Sequence, residues 1–536
     1  MADDSLRSDL ANASDPTKGA ALVGYIPLLN GSTGRMTADK LLERVSVLDF
    51  GAIGDGVSRP LSTIFATLAL AQQVYPHATA LSDELDWAAF QAALNLGKTK
   101  GGLTIYCPGT DSIYVFGENV LSFGSNAKGI RFIGDGGVLR FRRYGGTANL
   151  INGANPHDVE LRNFRIEGGQ LGLTGNAAAT DGQGISFASP KNCIADRLFF
   201  TDTRGFALLW YNNNRDSATD CSNNLIIDCG TDGAGVASSS FLFANLSDSM
   251  MIRPTAKNNT GTSDDTAYTF DLKNNCINCS ILDFIATNCR IAVVLSDDSS
   301  SGFGIGAKNS RITGTAYNCG AAMSTNKASG TYASVTMVGC GSGTSGALAI
   351  AGFNTRCTYD LVIHDTPADA NAIYSGSPDQ QFNISRYDNS GLWLFSNNGS
   401  AARNEINIMG GPNRTSGLAN IQARINSINE ATFPRVLDMR DLPNPVWNAA
   451  NTRWDSTLCF PMPGGSRTAN ALTMRSTGDI TLQSQANVKL LYSSSSETWR
   501  IPNGVPEYAD DAAASAGGLA IGSLYRTDSI IKIRVT

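Results

Sequence analysis

Between residues 128 and 390 the chain keeps returning to one short pattern: an alternating apolar strand, a polar Asn/Asp/Gly turn, a second short strand and another turn. The strands centre on Phe132, Phe164, Leu198, Leu225, Met250, Ile281, Ile312, Val335, Leu361 and Ile384, with successive spacings of 23 to 34 residues. A second series falls between them, at Ile185–Phe187, Leu208–Tyr211, Phe241–Phe243, Tyr268–Leu272 and Val293–Leu295. A period of about 20–50 residues means a solenoid, a propeller or an array. Propeller blades need about 40–45 residues, and the Leu framework of leucine-rich repeats is missing. Two or three short strands per turn of the repeat fit a parallel β-helix. In that fold each coil buries its inward side chains on the coils above and below. Neighbouring strands lie about 4.8 Å apart, so like residues stack in columns. Cys229, Cys289, Cys319 and Cys340 recur shortly after the strand centres, as small interior fillers would.

Composition agrees with an all-β chain. Charged residues make up 16% of the 536 residues, and Gly is high at 55. The charged fraction of an ordinary soluble protein is about 25%. High charge with little apolar content, the mark of disorder, is absent. So is the Glu/Lys/Leu richness of a helical bundle. The net charge of −6 argues against a nucleic-acid partner, which calls for a basic face. An acidic polymer would need a locally basic groove. No apolar run reaches the roughly 18 residues of a membrane helix, and the start lacks the basic and apolar regions of a signal peptide. Eleven Cys without zinc spacing read as reduced, buried residues of a protein made in a reducing cytosol.

The repeat sits inside a longer plan. Residues 1–45 read as an extended arm or neck. Residues 46–127 read as a small cap with one helix, since Asp86–Leu94 has apolar residues at helical spacing and Gly101-Gly102 follows. The period fades after 390. Residues 391–505 read as a separate β domain, such as a sandwich, a carbohydrate-binding module or a trimerising one, and residues 506–536 as a tail.

The two ends carry a resemblance. Asp49-Phe50-Gly51-Ala52-Ile53-Gly54-Asp55-Gly56, then Asp86 to Ala93, Gly101-Gly102 and Pro108-Gly109-Thr110, resemble the opening of pectate-lyase-like β-helix proteins. The insertion from Val57 to Leu85 and the arm from Leu6 to Tyr25 resemble bacteriophage tailspike depolymerases, and the tail from Tyr508 to Thr527 resembles the ends of phage tail proteins. The family opening usually carries an Asp-rich pair after the Gly-Asp-Gly turn; here Ser58-Arg59-Pro60 stands there. The resemblance implies a right-handed parallel β-helix and a homotrimeric spike on a phage virion, made in the host cytoplasm. It implies a spike that attaches to other tail proteins through its N-terminal arm and binds and cleaves a bacterial surface polysaccharide. No cofactor and no membrane partner are expected.

Glycoside hydrolysis needs two carboxyl groups, about 5–5.5 Å apart for retention and about 6.5–9.5 Å for inversion. Adjacent coils supply such spacings. If Phe164, Leu198, Leu225 and Met250 point inward, the third residue after each points outward: Glu167, Thr201, Asp228 and Arg253. Asp202 follows Thr201. This column offers an acid–base pair and an Arg to orient a sugar acid; it also fits a merely solvated face. Trp210 and Tyr211, with Asp216 and Asp220 after them, form a second candidate, since sugar rings pack on aromatic faces; the alternation fits Trp210 as a core residue equally well. Asp264, Asp265 and Asp271 beside Tyr268 form a third; plain turn chemistry also explains Asp264-Asp265, and Asp297-Asp298 reads the same way. The expected catalytic set is therefore Glu167, Asp202, Asp228, Asp264 and Asp271, with Arg253, Trp210, Tyr211 and Tyr268 binding substrate. A lyase, or a spike that grips without cutting, stands as the alternative. With three His, a Ser-His-Asp site is poorly supported. There is no phosphate loop and no HExxH zinc helix.

Overall fold

The structure, a computed structural model, describes residues 7–141 apart from short stretches of the first 34. It then describes the coils from 149 to 341 apart from 170–183, 204, 213–220, 234–238, 261–267 and 298–305, and beyond 347 a series of separate strands and turns. Two compact units are present, residues 1–336 and 337–536.

The first unit is a right-handed parallel β-helix. Right-handedness is what a right-twisted strand feeding a parallel crossover imposes. The winding starts earlier than the repeat in the sequence indicated: Arg44–Ser46 already pairs in parallel with Leu103–Cys107, and that strand with Ile130–Gly134. The end of the stack is closed by a helix, α1 (Leu85–Lys100), which ends at Gly101 in the left-handed conformation (φ +71°). Its Phe90 ring meets Tyr114, Phe116 and Phe132 at 4.8, 4.9 and 5.4 Å between centroids, covering the exposed first coil. Asp86, at the start of α1, laces the cap to the coil. Its Oδ1 accepts from Ile53 N at 2.7 Å and its Oδ2 from Val115 N at 2.9 Å, and burial pushes its carboxyl up.

From Leu103 to Lys257 each coil contributes two strands to one long sheet and one strand to another; from Ser280 on the two merge into one longer strand, Ser280–Thr287 in the first such coil. In the first sheet the second strand of successive coils is β1 (Val138–Phe141), β2 (Arg165–Glu167), β3 (Phe199–Thr201), β4 (Gly230–Asp232) and β5 (Thr255–Lys257). They pair in order, in parallel and in strict register. The other sheet stacks Ile151–Ala154, Ile185–Ala188, Leu208–Tyr211, Phe241–Ala244, β6 (Tyr268–Lys273) and Ile291–Ser296.

Short strands of this kind need a sharp corner each time the chain turns. The corners before β2, β3, β4 and β5 place Asn163, Arg197, Asp228 and Arg253 at φ of +58°, +52°, +50° and +49°. Asn and Asp tolerate that region better than other residues, which is why they crowd the turns of the sequence. The interior is filled in columns. Phe187, Trp210 and Phe243 stack face to face at 6.2 and 5.8 Å, and Cys229 lies buried between Leu198 and Pro254 of the neighbouring coils. All ten described cysteines are buried, and burial pushes the Cys193 and Cys229 thiols up to about 12.

In the second unit Thr358–His364, Gln381–Arg386, Glu405–Gly410 and Leu437–Asp438 still pair in parallel. The winding thus continues past residue 390. The antiparallel part is a single six-stranded sheet from Val446–Asn448 to Thr498–Arg500, each strand beside the next. A short helix, Asp511–Ala516, and a hairpin of Leu524–Thr527 with Ile530–Ile533 follow. No helix among the described residues is long and apolar enough to cross a membrane.

Candidate functional site

The register of the first sheet decides which residues share its outer face. Alternation buries Leu139, Ile166, Phe200, Thr231 and Ala256 and turns the residues on either side of each outward. The outward column is therefore Arg140, Glu167, Thr201, Asp232 and Lys257. Beside it runs a second outward column, Val138, Arg165, Phe199, Gly230 and Thr255.

Two of the expected site residues fall elsewhere for a definite reason. Asp228 and Arg253 are corner residues, one strand away from the column that holds Glu167. Cys229, not Leu225, is the residue in register with Leu198, since Phe199 pairs with Gly230. Counting three on from Phe164, Leu198, Cys229 and Pro254 gives Glu167, Thr201, Asp232 and Lys257. The sequence held that signal in its buried Cys column. Asp228 and Arg253 are also spent on each other: Arg253 Nε and Nη2 donate to Asp228 Oδ1 and Oδ2 at 2.6 and 2.8 Å. That fork holds the Asp228 carboxyl below its usual range and fixes an Arg in a backbone region that Arg rarely adopts.

The aromatic expectation also changes. Trp210 is completely buried, sandwiched between Phe187 and Phe243, so it fills the core and offers no face to a sugar. Tyr211 and Tyr268 are half-buried at opposite ends of their strands on the other sheet, in register with Lys273 and Ile291 respectively. Asp271 lies on that sheet too, on the side away from Phe270 and Leu272. It is 1% exposed, accepts a hydrogen bond from Ser239 Oγ at 3.1 Å, and burial pushes its carboxyl up to about 7. Asp202 is the half-buried corner residue after β3, at φ +56°. Asp264 lies outside the described residues, as do Asp216, Asp220, Asp265 and Asp298.

What the fold does assemble is a continuous polar face. Arg140 Nε donates to Glu167 Oε2 at 2.6 Å across adjacent strands. Two strands on from Glu167, Asp232 is exposed and accepts from Asn258 Nδ2 at 2.8 Å. Thr201 stands between the two acids. Phe199 is 38% exposed, and Gly230 is what lets its ring lie close over the next strand: a Cβ at Gly230 would meet the ring at 2.9 Å. An aromatic ring held flat on a surface presents a negative face to polarised C–H groups, as sugars have.

At the cap end this face opens into a cleft of about 710 Å³, within the range of about 300–1,000 Å³ usual for ligand sites. Ser58, Asp83, Glu84, Val115, Glu118 and Arg140 line it. Asp83 and Glu84 are structural here. Asp83 accepts from Thr79 N, Ala80 N and Asn119 Nδ2, and Glu84 from Ser58 Oγ and Arg59 N. Glu118, by contrast, is exposed, with no hydrogen-bond partner among the described residues. The described residues contain no group of three or more His, Cys, Asp or Glu able to hold a metal.

No protein-family model matches the sequence, and no curated protein matches it. Solved structures do resemble it. The A-module of the mannuronan C-5 epimerase AlgE6 from Azotobacter vinelandii superposes with a TM-score of 0.51 at 12% identity, over 75% of this chain and all of that one; this likeness is one of fold. The structures found are mostly phage tailspikes. Among them are the tailspike of E. coli bacteriophage HK620 in complex with a pentasaccharide (TM-score 0.47, 13% identity, 91% and 95% coverage) and that of Pseudomonas phage LKA1 (0.43, 14%, 82% and 89%).

Proposed function

We propose that the chain is a phage tailspike that binds a bacterial surface polysaccharide (capsule, exopolysaccharide or O-antigen) and hydrolyses its glycosidic bonds on the outer face of β1 to β5. The observation that carries this is the registered run Glu167–Thr201–Asp232. Two strand spacings set the acids' backbones about 9.6 Å apart. Side chains leaning toward a bound sugar bring such a pair into the about 6.5–9.5 Å of an inverting enzyme. Glu167, paired with Arg140, serves as the base that activates water. Asp232 serves as the acid that protonates the leaving oxygen. Phe199 stacks a ring beside the scissile bond, and the cleft at Arg140 and Glu118 receives one end of the chain. The working particle is a homotrimer that acts at the bacterial surface and is anchored to other tail proteins through residues 1–45.

The test is to incubate the protein with purified surface polysaccharides and follow polymer size. Hydrolysis leaves new reducing ends without ultraviolet absorbance. Absorbance from an unsaturated uronate means elimination instead, and binding without shortening means an adhesin. Phe199→Ala raises KM about 10-fold or more by removing the stacking platform. A full-activity Glu167→Gln, Asp232→Asn double variant overturns the assignment of the site.

A further inference from the structure

We propose that this face selects a polysaccharide bearing carboxylate groups, and that Arg165 and Lys257 are the residues that read them. The inference rests on the glycan-binding reading of β1 to β5 and adds to it the class of sugar.

Many cations of the first sheet and its corners are spent on neighbouring acids. Arg131 pairs with Glu160, Arg140 with Glu167, Arg162 with Glu160 and Asp196, Arg197 with Asp196, and Arg253 with Asp228. Arg165 and Lys257 depart from that pattern. Both are exposed, and among the described residues neither side chain has an ion-pair or hydrogen-bond partner. Arg311, Lys128 and Lys308 are likewise exposed without an ion pair elsewhere on this sheet and its corners, but along β1 to β5 the described cations without one are Arg165 and Lys257, and these flank the proposed reaction centre. Arg165 stands on β2, two residues before Glu167 and level with Phe199. Lys257 stands on β5, level with Asp232 and next to it in the stack. From β2 to β5 is three strand spacings, about 14 Å.

The chemistry follows from placement. In a chain of net charge −6, an exposed face that keeps two unneutralised cations beside two acids raises the local anion concentration where the bulk of the surface repels it. An Arg fork fits a planar carboxylate with two parallel hydrogen bonds, and a Lys meets it as a point charge. Two such contacts on separate strands call for a polymer with acidic groups on more than one sugar. The hydroxyls of a neutral sugar accept from these cations without bringing charge, and so repay less of the water that both give up than carboxylates do.

The experiment uses the full-length protein with Glu167→Gln as a background that binds without turnover. Acidic surface polysaccharides are offered in native form and after carbodiimide–borohydride reduction of their carboxyl groups to alcohols, beside neutral ones. The expected result is binding to acidic polymers alone, with carboxyl reduction weakening it about 100-fold. Arg165→Gln and Lys257→Gln each weaken binding to the native polymer about 10-fold, and neither changes binding to the reduced polymer. Melting temperatures equal to that of the parent show that the variants are folded. Equal binding of native and reduced polymer, or parental affinity in both variants, overturns the proposal and leaves the glycan reading intact. Binding to no polysaccharide at all overturns both.

Discussion

Along β2 to β5 the outward residues Glu167, Thr201, Asp232 and Lys257 are half-buried or exposed. On the other sheet of the same coils the equivalent outward run is Ser186, Leu209, Leu242, Asp271 and Val294, and none of these is more than 9% exposed. Both runs point away from the interior and both obey the same alternation. One can meet a ligand directly and the other cannot. An outward position in a solenoid is thus a statement about the strand, and access is a statement about everything packed outside it. The acids differ accordingly: Asp232 is exposed, whereas burial has pushed the Asp271 carboxyl up to about 7.

The contrast can be broken most sharply at the open face. Asp232→Asn and Glu167→Gln should each lower kcat on the cognate polysaccharide by about 10²–10⁴-fold while leaving the melting temperature within a degree or two of the parent. Equal losses of stability would show these acids to be part of the scaffold. The shared interior should respond in the opposite sense. Trp210→Ala empties a stacked column and should cost about 3–5 kcal/mol of stability, read as a fall in the thermal midpoint, and any change in kcat should track loss of folded protein.

Asp271 separates the two faces by pH. A carboxyl whose pKa rises from 3.8 unfolded to about 7 folded holds its proton more tightly in the native state. The native state therefore loses stability as pH climbs from about 4 to about 7, and the loss is complete above that. Asp271→Asn removes the penalty, so the variant should be the more stable protein at pH 8, by roughly 4 kcal/mol at most, and equal to the parent below pH 4. Denaturant midpoints across that range check it; a pH-independent difference would place the Asp271 carboxyl in water. The smallest effect is expected at the corner. Arg253→Ala opens an exposed ion pair, and such pairs contribute little, so kcat should stay at the parental value and the melting temperature should move less than in Trp210→Ala or Asp271→Asn.

Glu167 and Thr201 were legible from spacing because Phe164 and Leu198 occupy the same place in their coils. The spacing changes at the next coil, where Leu225 belongs to the first strand of the pair and Cys229 to the turn before the second. That change moved the expected acid from Asp232 to Asp228 and the expected cation from Lys257 to Arg253. Trp210 misled for another reason: alternation gives two faces and does not say which one is inside. Phe199 carried no signal as a binding residue, since its exposure depends on Gly230 one coil away.

The sequence by itself determined the winding. A repeat of 23 to 34 residues, apolar alternation and Asn- and Asp-rich turns leave few ways to bury the apolar side chains other than stacking coil on coil. Only the tertiary structure decided the site. A site on a solenoid is built from residues about 30 positions apart, and a difference of a few residues in loop length between coils changes which of them come to stand side by side.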